Sequence, residues 1–447
     1  MKLSLVGAGG FRTPLVYRAL LHDHEEGRVD EVRLFDTSEH RLTSMMKVLT
    51  KQAEGVPDAP RLVPCSDLGS AVDGTDFIFS AIRVGGLKGR ALDERIGLDL
   101  GVIGQETVGA GGISYALRTI PVAMDMAKTI RERAPHAWTI NFTNPAGVIT
   151  QAMARELGER VIGICDSPVG LARHVLEAVD AHPGAEVDID YLGLNHLGWL
   201  RGLTVDGHDV LPTVLADPQL IETFEEGKLF GAEWIQTLGS IPNEYLYYYY
   251  YTREQLLADR ASASPRGAYL EKQQTDFYDC FHHEVADPFA LWEKTRLDRE
   301  ETYMATNRES AGGFERSGSD LESGGYDRVA LALMRAIARD EKAQLILNVP
   351  NRGIIGDLDD DDIIEVPCIV DRDGPHARRV PDLPNHARPL VRGVKNVEHH
   401  EIEAATSRSR TAALRAFAEH PLVDSINVAR LLLEEYTHQI PELNYLG

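Results

Sequence analysis

Cysteine is scarce: Cys65, Cys165, Cys280 and Cys368 are the only four among 447 residues. They are scattered without a paired spacing, so no disulfide framework is expected and a reducing cytoplasm is the expected compartment. Positive charge is also short, with 46 lysines and arginines against 69 aspartates and glutamates and a formal net charge of −23. Such a surface repels phosphate backbones and anionic headgroups, which argues against a nucleic-acid partner and against membrane binding. An anionic small ligand would need a local basic pocket. Long apolar runs are missing too, so no membrane-spanning segment is expected. Met1-Lys2-Leu3-Ser4-Leu5-Val6 runs directly into a strand-like pattern rather than a signal peptide.

The chain is too long for one ordinary core, and its texture divides it at about residue 190. The expected class is α/β. Residues 1–190 read as a Rossmann-type doubly wound parallel sheet that binds a dinucleotide. Leu3-Ser4-Leu5-Val6 reads as a buried strand and Gly7-Ala8-Gly9-Gly10 as the turn after it. Thr13-Pro14 reads as the N-cap and first position of a helix continuing until Gly27. Residues 32–36, 76–81, 138–142 and 161–165 read as further strands ending in polar residues, which in an open parallel sheet share one crevice.

Residues 191–447 are expected to form a C-terminal lobe, like that of lactate and malate dehydrogenases, for substrate, metal and oligomer contacts. Residues 309–325 are rich in Gly and Ser. The acidic run at 357–362 is expected as a solvated loop rather than a metal site. Ile241-Pro242-Asn243-Glu244-Tyr245-Leu246 reads as a pocket-lining segment before a helix through the tyrosine run 247–251.

Gly7 and Gly9 allow backbone to approach a pyrophosphate, and Asp36 at the end of the second strand can accept from an adenosine ribose, which favours NAD over its 2′-phosphorylated form. The third glycine of that fingerprint is replaced by Arg12. Cys165 and His196 lie 31 positions apart, too far for a finger-type site. Singly, each reads as a packing cysteine or a satisfied histidine. Together, a thiolate and an imidazole with open positions for substrate oxygens suit a divalent metal acting as a Lewis acid.

Arg83-Val84-Gly85-Gly86-Leu87-Lys88-Gly89-Arg90, Gly104-Gln105-Glu106-Thr107, Ala116-Leu117-Arg118-Thr119-Ile120-Pro121, Asn141-Phe142-Thr143-Asn144-Pro145, Cys165-Asp166, Asn195-His196, Tyr245-Leu246 and Asn348-Val349-Pro350-Asn351 follow one another in a specific order. In this the chain resembles, over nearly its whole length, the NAD- and manganese-dependent glycosidases of glycoside hydrolase family four. The resemblance implies NAD together with Mn²⁺ or another divalent metal as cofactors. It makes Cys165 and His196 the metal ligands, groups Gly10 and Arg83 with Gly7, Gly9 and Asp36 on the cofactor, and puts Arg90, Asn144 and Arg266 on the substrate. Tyr245 matches the catalytic base. Asp166 matches a general acid or, equally, a group that orients a metal ligand.

The family's chemistry departs from the two-carboxylate scheme: oxidation at sugar C3, proton removal at C2, elimination, water addition and re-reduction. The implied substrate is a phosphorylated disaccharide or glycoside, with 6-phospho-β-glucosides ahead of the α-anomers that Asp166 would suit. The implied assembly is a homodimer or homotetramer. A lactate/malate-type NAD-dependent dehydrogenase is the alternative from another class and a non-catalytic NAD sensor a third; neither accounts for Cys165.

Overall fold

The computed structural model of the chain describes residues 1–262, 264–316 and 325–447. Residues 317–324 of the Gly/Ser-rich segment therefore lie outside the described residues. Six short strands, β1 (Lys2–Val6), β2 (Glu31–Phe35), β3 (Arg61–Pro64), β4 (Phe77–Ser80), β5 (Trp138–Asn141) and β6 (Val161–Gly163), pair in parallel in the order β3-β2-β1-β4-β5-β6. β4 is buried along its whole length, the pattern of a strand covered on both faces. The order reverses at β1, so the loops after β1 and β4 flank the crevice where such a sheet takes its ligand.

The sheet does not stop at β6. β7 (Val187–Leu194), β8 (Leu197–Val205), β10 (Ile241–Pro242), β11 (Ala343–Pro350) and β12 (Ile363–Asp371) extend it antiparallel in the order β6-β11-β12-β7-β8-β10. β9 (His208–Asp209) pairs with β8 and β13 (Gly374–Ala377) with β12. The expected segments 1–190 and 191–447 thus share one sheet, and β7 runs through the division between them. One apolar core serves both, with Leu5, Phe79 and Ile162 on one side and Leu192, Trp199 and Val366 on the other.

The backbone join between parallel and antiparallel parts is a single residue pair, Gly163 with Asn348. A Cβ at Gly163 would lie 2.5 Å from Thr150 Oγ1 and 2.7 Å from Asn348 Cβ, so only glycine lets the two strands approach.

Local expectations need three corrections. The first helix is Thr13–Leu21, capped at Arg12 without a side-chain hydrogen bond; residues 24–27 are exposed and offer no apolar face to extend it. The tyrosine run holds only one helical turn, Tyr247–Tyr250, preceded by a 3₁₀ turn at Glu244–Leu246 and broken at Tyr251 before the next helix, Thr252–Ala261. In the acidic run Asp357, Asp359, Asp360 and Asp361 are exposed as expected, but Asp362 is buried. It accepts from Gln151 Nε2 at 3.0 Å, from Asp359 N at 3.0 Å and from His399 Nε2 at 2.5 Å.

Candidate active site

One cavity of about 490 Å³ opens beyond the carboxyl ends of the parallel strands. At one end it is lined by Gly7, Gly10 and Arg12 from the turn after β1. Gly7 has φ +89°, and a Cβ there would meet Ala81 O at 2.5 Å, so the turn requires glycine. Gly9 and Asp36 lie behind this wall: Asp36 Oδ2 accepts from Gly9 N at 2.9 Å and Oδ1 from Ser38 N at 2.8 Å. Trp292 Nε1 donates to Phe11 O at 2.9 Å and Tyr278 Oη to Gly9 O at 2.5 Å, so late helices clamp the first turn of the chain.

Arg83, in the loop after β4, donates to Glu106 and lies over the Tyr115 ring. Buried Arg90 reaches Glu94 at 2.9 Å and the other oxygen of Glu106 at 2.6 Å. Burial alone would raise the Glu106 carboxyl, but Arg83 and Arg90 hold it down at about 2. Asn144 follows β5, and its Oδ1 is buried with no hydrogen-bond partner among the described residues. The neighbouring backbone is tied across the sheet: Ala146 N donates to Asn195 Oδ1 at 3.2 Å, and Asn195 Nδ2 to Glu365 Oε1 at 3.3 Å. Glu365, fully buried and pushed up to about 7 by burial, also accepts from Asn348 at 2.9 Å and Tyr191 at 3.1 Å.

Cys165 lies just past β6 and is buried; burial, then the charges of Glu365 and Asp166, raise its thiol well above its ordinary range. His196 occupies the two-residue turn between β7 and β8 with φ +61°, a left-handed conformation uncommon for a residue with a side chain. Its Nδ1 lies 3.1 Å from Thr107 Oγ1, and that hydroxyl gives its one proton to Gln105 Oε1 at 3.0 Å. Thr107 must then accept from Nδ1–H, which leaves Nε2 as the lone-pair nitrogen. Burial pushes the imidazole down to about 3, so it is neutral at physiological pH.

The Tyr245 ring stacks on His196 at 3.7 Å between centroids and 2° between planes. Its backbone N donates to Asn243 Oδ1 at 3.1 Å, and its hydroxyl accepts from Tyr303 Oη at 3.0 Å. Burial, then Glu244, raise the phenol well above its ordinary value, while the bond from Tyr303 lowers it. Burial raises Asp166, and Arg12, 3.8 Å away, pulls it back. Arg266 donates to Thr302 and to Arg299 O, with its guanidinium over the Tyr303 ring. Burial and then Arg90 lower Arg266 to about 10; burial, then Arg12, lower Arg299 to about 9.

Ten of the twelve residues singled out in the sequence line this cavity; Gly9 and Asp36 form its backing. Thr107, Glu106 and Gln105 are visible in the sequence only as a motif without roles, Glu244 only as part of a pocket-lining segment, and Tyr303, Arg299 and Glu365 give no local signal. Asp359, Asp362 and His399, whose potential ligand atoms lie within 4.8 Å of one another, sit apart from the cavity.

Residues 2–181 match the model of family 4 glycosyl hydrolases and residues 191–423 that of the family 4 glycosyl hydrolase C-terminal domain. A 6-phospho-beta-glucosidase of Thermotoga maritima is 32% identical over 100% of both chains. A structure of the Thermotoga maritima 6-phospho-beta-glucosidase with manganese, NAD+ and glucose-6-phosphate superposes with a TM-score of 0.83 at 29% identity, covering 99% of both chains. A 6-phospho-alpha-glucosidase from gut microorganisms, solved with NAD and glucose-6-phosphate, gives a TM-score of 0.81 at 25% identity, covering 100% of this chain and 99% of that one.

Proposed function

Because the chain belongs to family 4 of the glycosyl hydrolases, we propose that it hydrolyses 6-phospho-β-glucosides by redox-assisted elimination. Family membership sets aside the dehydrogenase and sensor alternatives. The observation that carries the proposal is the Thr107–His196–Tyr245 arrangement, which offers a lone-pair nitrogen and a buried phenol stacked against each other.

Cys165 Sγ and His196 Nε2 are the donors that would hold a divalent metal, and the unpartnered Oδ1 of Asn144 lines the same cavity. The side-chain-free backbone of Gly7 and Gly10 suits a dinucleotide, with Gly9 and Asp36 holding the turn and Arg83 beside it. Bound there, NAD would supply a hydride acceptor and donor for sugar C3, and Mn²⁺ or a similar ion a Lewis acid for the sugar oxygens.

Tyr245 takes the C2 proton. The hydrogen bond from Tyr303 favours its phenolate, and burial keeps it a phenol unless positive charge is added nearby. Asp166, kept protonated more readily by burial, gives a proton to the leaving oxygen. Arg90 and Asn144 bind sugar hydroxyls. Arg266 and Arg299, both lowered by burial and by neighbouring arginines, are short of anions, and a sugar phosphate would relieve them. Residues 1–190 serve as the nucleotide half and 191–447 as the half that completes the metal and substrate sites. Free thiols at all four cysteines suit a cytoplasmic enzyme. A homodimer or homotetramer is the proposed assembly, with exposed Ile426 and Leu431 among the apolar groups available to it.

The test is p-nitrophenyl 6-phospho-β-glucoside with NAD, Mn²⁺ and reductant. Nitrophenol release without net NADH is expected; NADH accumulating mole for mole overturns the reading. Asp166 beside Cys165 favours the α-anomer as second reading, and a parallel run with that anomer decides between them.

A further inference from the structure

Glu244 immediately precedes the proposed base, yet its side chain turns to other partners. It is 8% exposed and lines the cavity. Ser167 Oγ donates to its Oε1 at 2.6 Å, while its Oε2 is buried with no hydrogen-bond partner among the described residues. Ser167, itself 9% exposed, directly follows Asp166. The surrounding cavity wall carries paired charges: Glu226 holds His174 Nδ1 at 2.9 Å, and Arg316 lies between Glu225 at 3.9 Å and Glu300 at 3.3 Å. Burial, then the charge of Glu226, push Glu244 up to about 8.

Resting on the proposed glycosidase reading, we infer that Ser167 and Glu244 form the subsite for the leaving group, and that it takes a hydroxyl-rich one, a second sugar. A buried carboxyl oxygen without a partner is costly, and a sugar hydroxyl can both give a hydrogen bond to it and take one from it. An aryl ring can do neither. The position beside Asp166 is where the proposed acid meets the departing oxygen. The arginines Arg266 and Arg299 serve the phosphorylated sugar instead.

The experiment compares kcat/KM for two 6-phospho-β-glucosides, one with glucose and one with p-nitrophenol as leaving group, in the wild type, Ser167→Ala and Glu244→Met, all loaded with NAD and Mn²⁺. The expected result is that the ratio of glucose-leaving to nitrophenol-leaving kcat/KM falls at least tenfold in each variant. Ser167→Ala removes only a hydroxyl and keeps the test decisive if Glu244→Met does not fold. Parallel losses on both substrates would show that the pair acts through Tyr245 and would overturn the inference alone, as would an unchanged ratio. A wild-type enzyme inert on both substrates would overturn the glycosidase reading and the inference with it.

Discussion

In the parallel part of the sheet, β1, β4, β5 and β6 each place their cavity residues in the loop beyond the strand's carboxyl end: Gly7, Arg83, Asn144 and Cys165. In the antiparallel part, His196 sits inside a two-residue turn and Tyr245 in a 3₁₀ turn just past an edge strand. The first arrangement is the ordinary consequence of parallel topology, in which every strand points its end at the same crevice. The second has no such rule behind it. It is built from particular hydrogen bonds, Thr107 to His196 and Tyr303 to Tyr245, and so depends on residues far away in the chain.

The largest effects are expected where one residue from each part is removed. Cys165→Ser and His196→Ala should each abolish turnover while circular dichroism and melting remain near wild type, because the proposed metal needs a donor from both sides. Full activity of Cys165→Ser in the presence of chelator would break the symmetry of the comparison and the metal assignment. Tyr245→Phe keeps the stack on His196 but loses the hydroxyl, so turnover should fall ~10²–10⁴-fold, the usual contribution of a positioned acid or base. Wild-type product formed in heavy water should carry deuterium at C2; complete retention of the C2 proton would count against the base.

A smaller effect is expected for Thr107→Val, which takes away the acceptor that fixes the His196 tautomer. Mn²⁺ affinity, read by titration of activity, should weaken about 10- to 100-fold, as for other groups that orient a metal-bound imidazole. An unchanged Mn²⁺ midpoint would make the antiparallel part as self-sufficient as the parallel one.

Stability rather than turnover is at stake at His420, buried like His196 but with its Nδ1 accepting from Leu422 N at 3.0 Å; burial pushes it down to about 3. Its folded value lies below the unfolded value of about 6.5, so an unfolded chain takes up the proton first as pH falls. Its contribution is therefore full above pH of about 6.5 and is lost on the way down to about 3, by up to about 1.4 kcal/mol per pH unit. Melting temperatures measured across that window should fall less steeply for His420→Gln than for the wild type.

The same contrast explains what was legible from residues alone. Strand ends such as Gly7 and Cys165 stand out, because the place where a buried apolar run stops is a local signal, whereas Asn144 takes its role from the family's motif order. Tyr245 is reached only through the family's motif order, since one tyrosine among several has no such signal, and His196 reads as a ligand only when paired with Cys165, because a lone histidine is usually a satisfied polar group. Glu365 and Tyr303 escaped altogether: their partners, Asn195 and Tyr245, lie 170 and 58 positions away. The antiparallel extension of the sheet was equally hidden, because β11 joins β6 only after the chain has run from Gly163 to Ala343.

That join is the pair of Gly163 and Asn348, with Cys165 two residues beyond one side of it and His196 carried by strands on the other. An ion bound by both residues would therefore be a rivet across the seam as well as a reagent. Mass action would then convert its concentration into resistance to unfolding, about 2.7 kcal/mol at a hundredfold excess over its Kd.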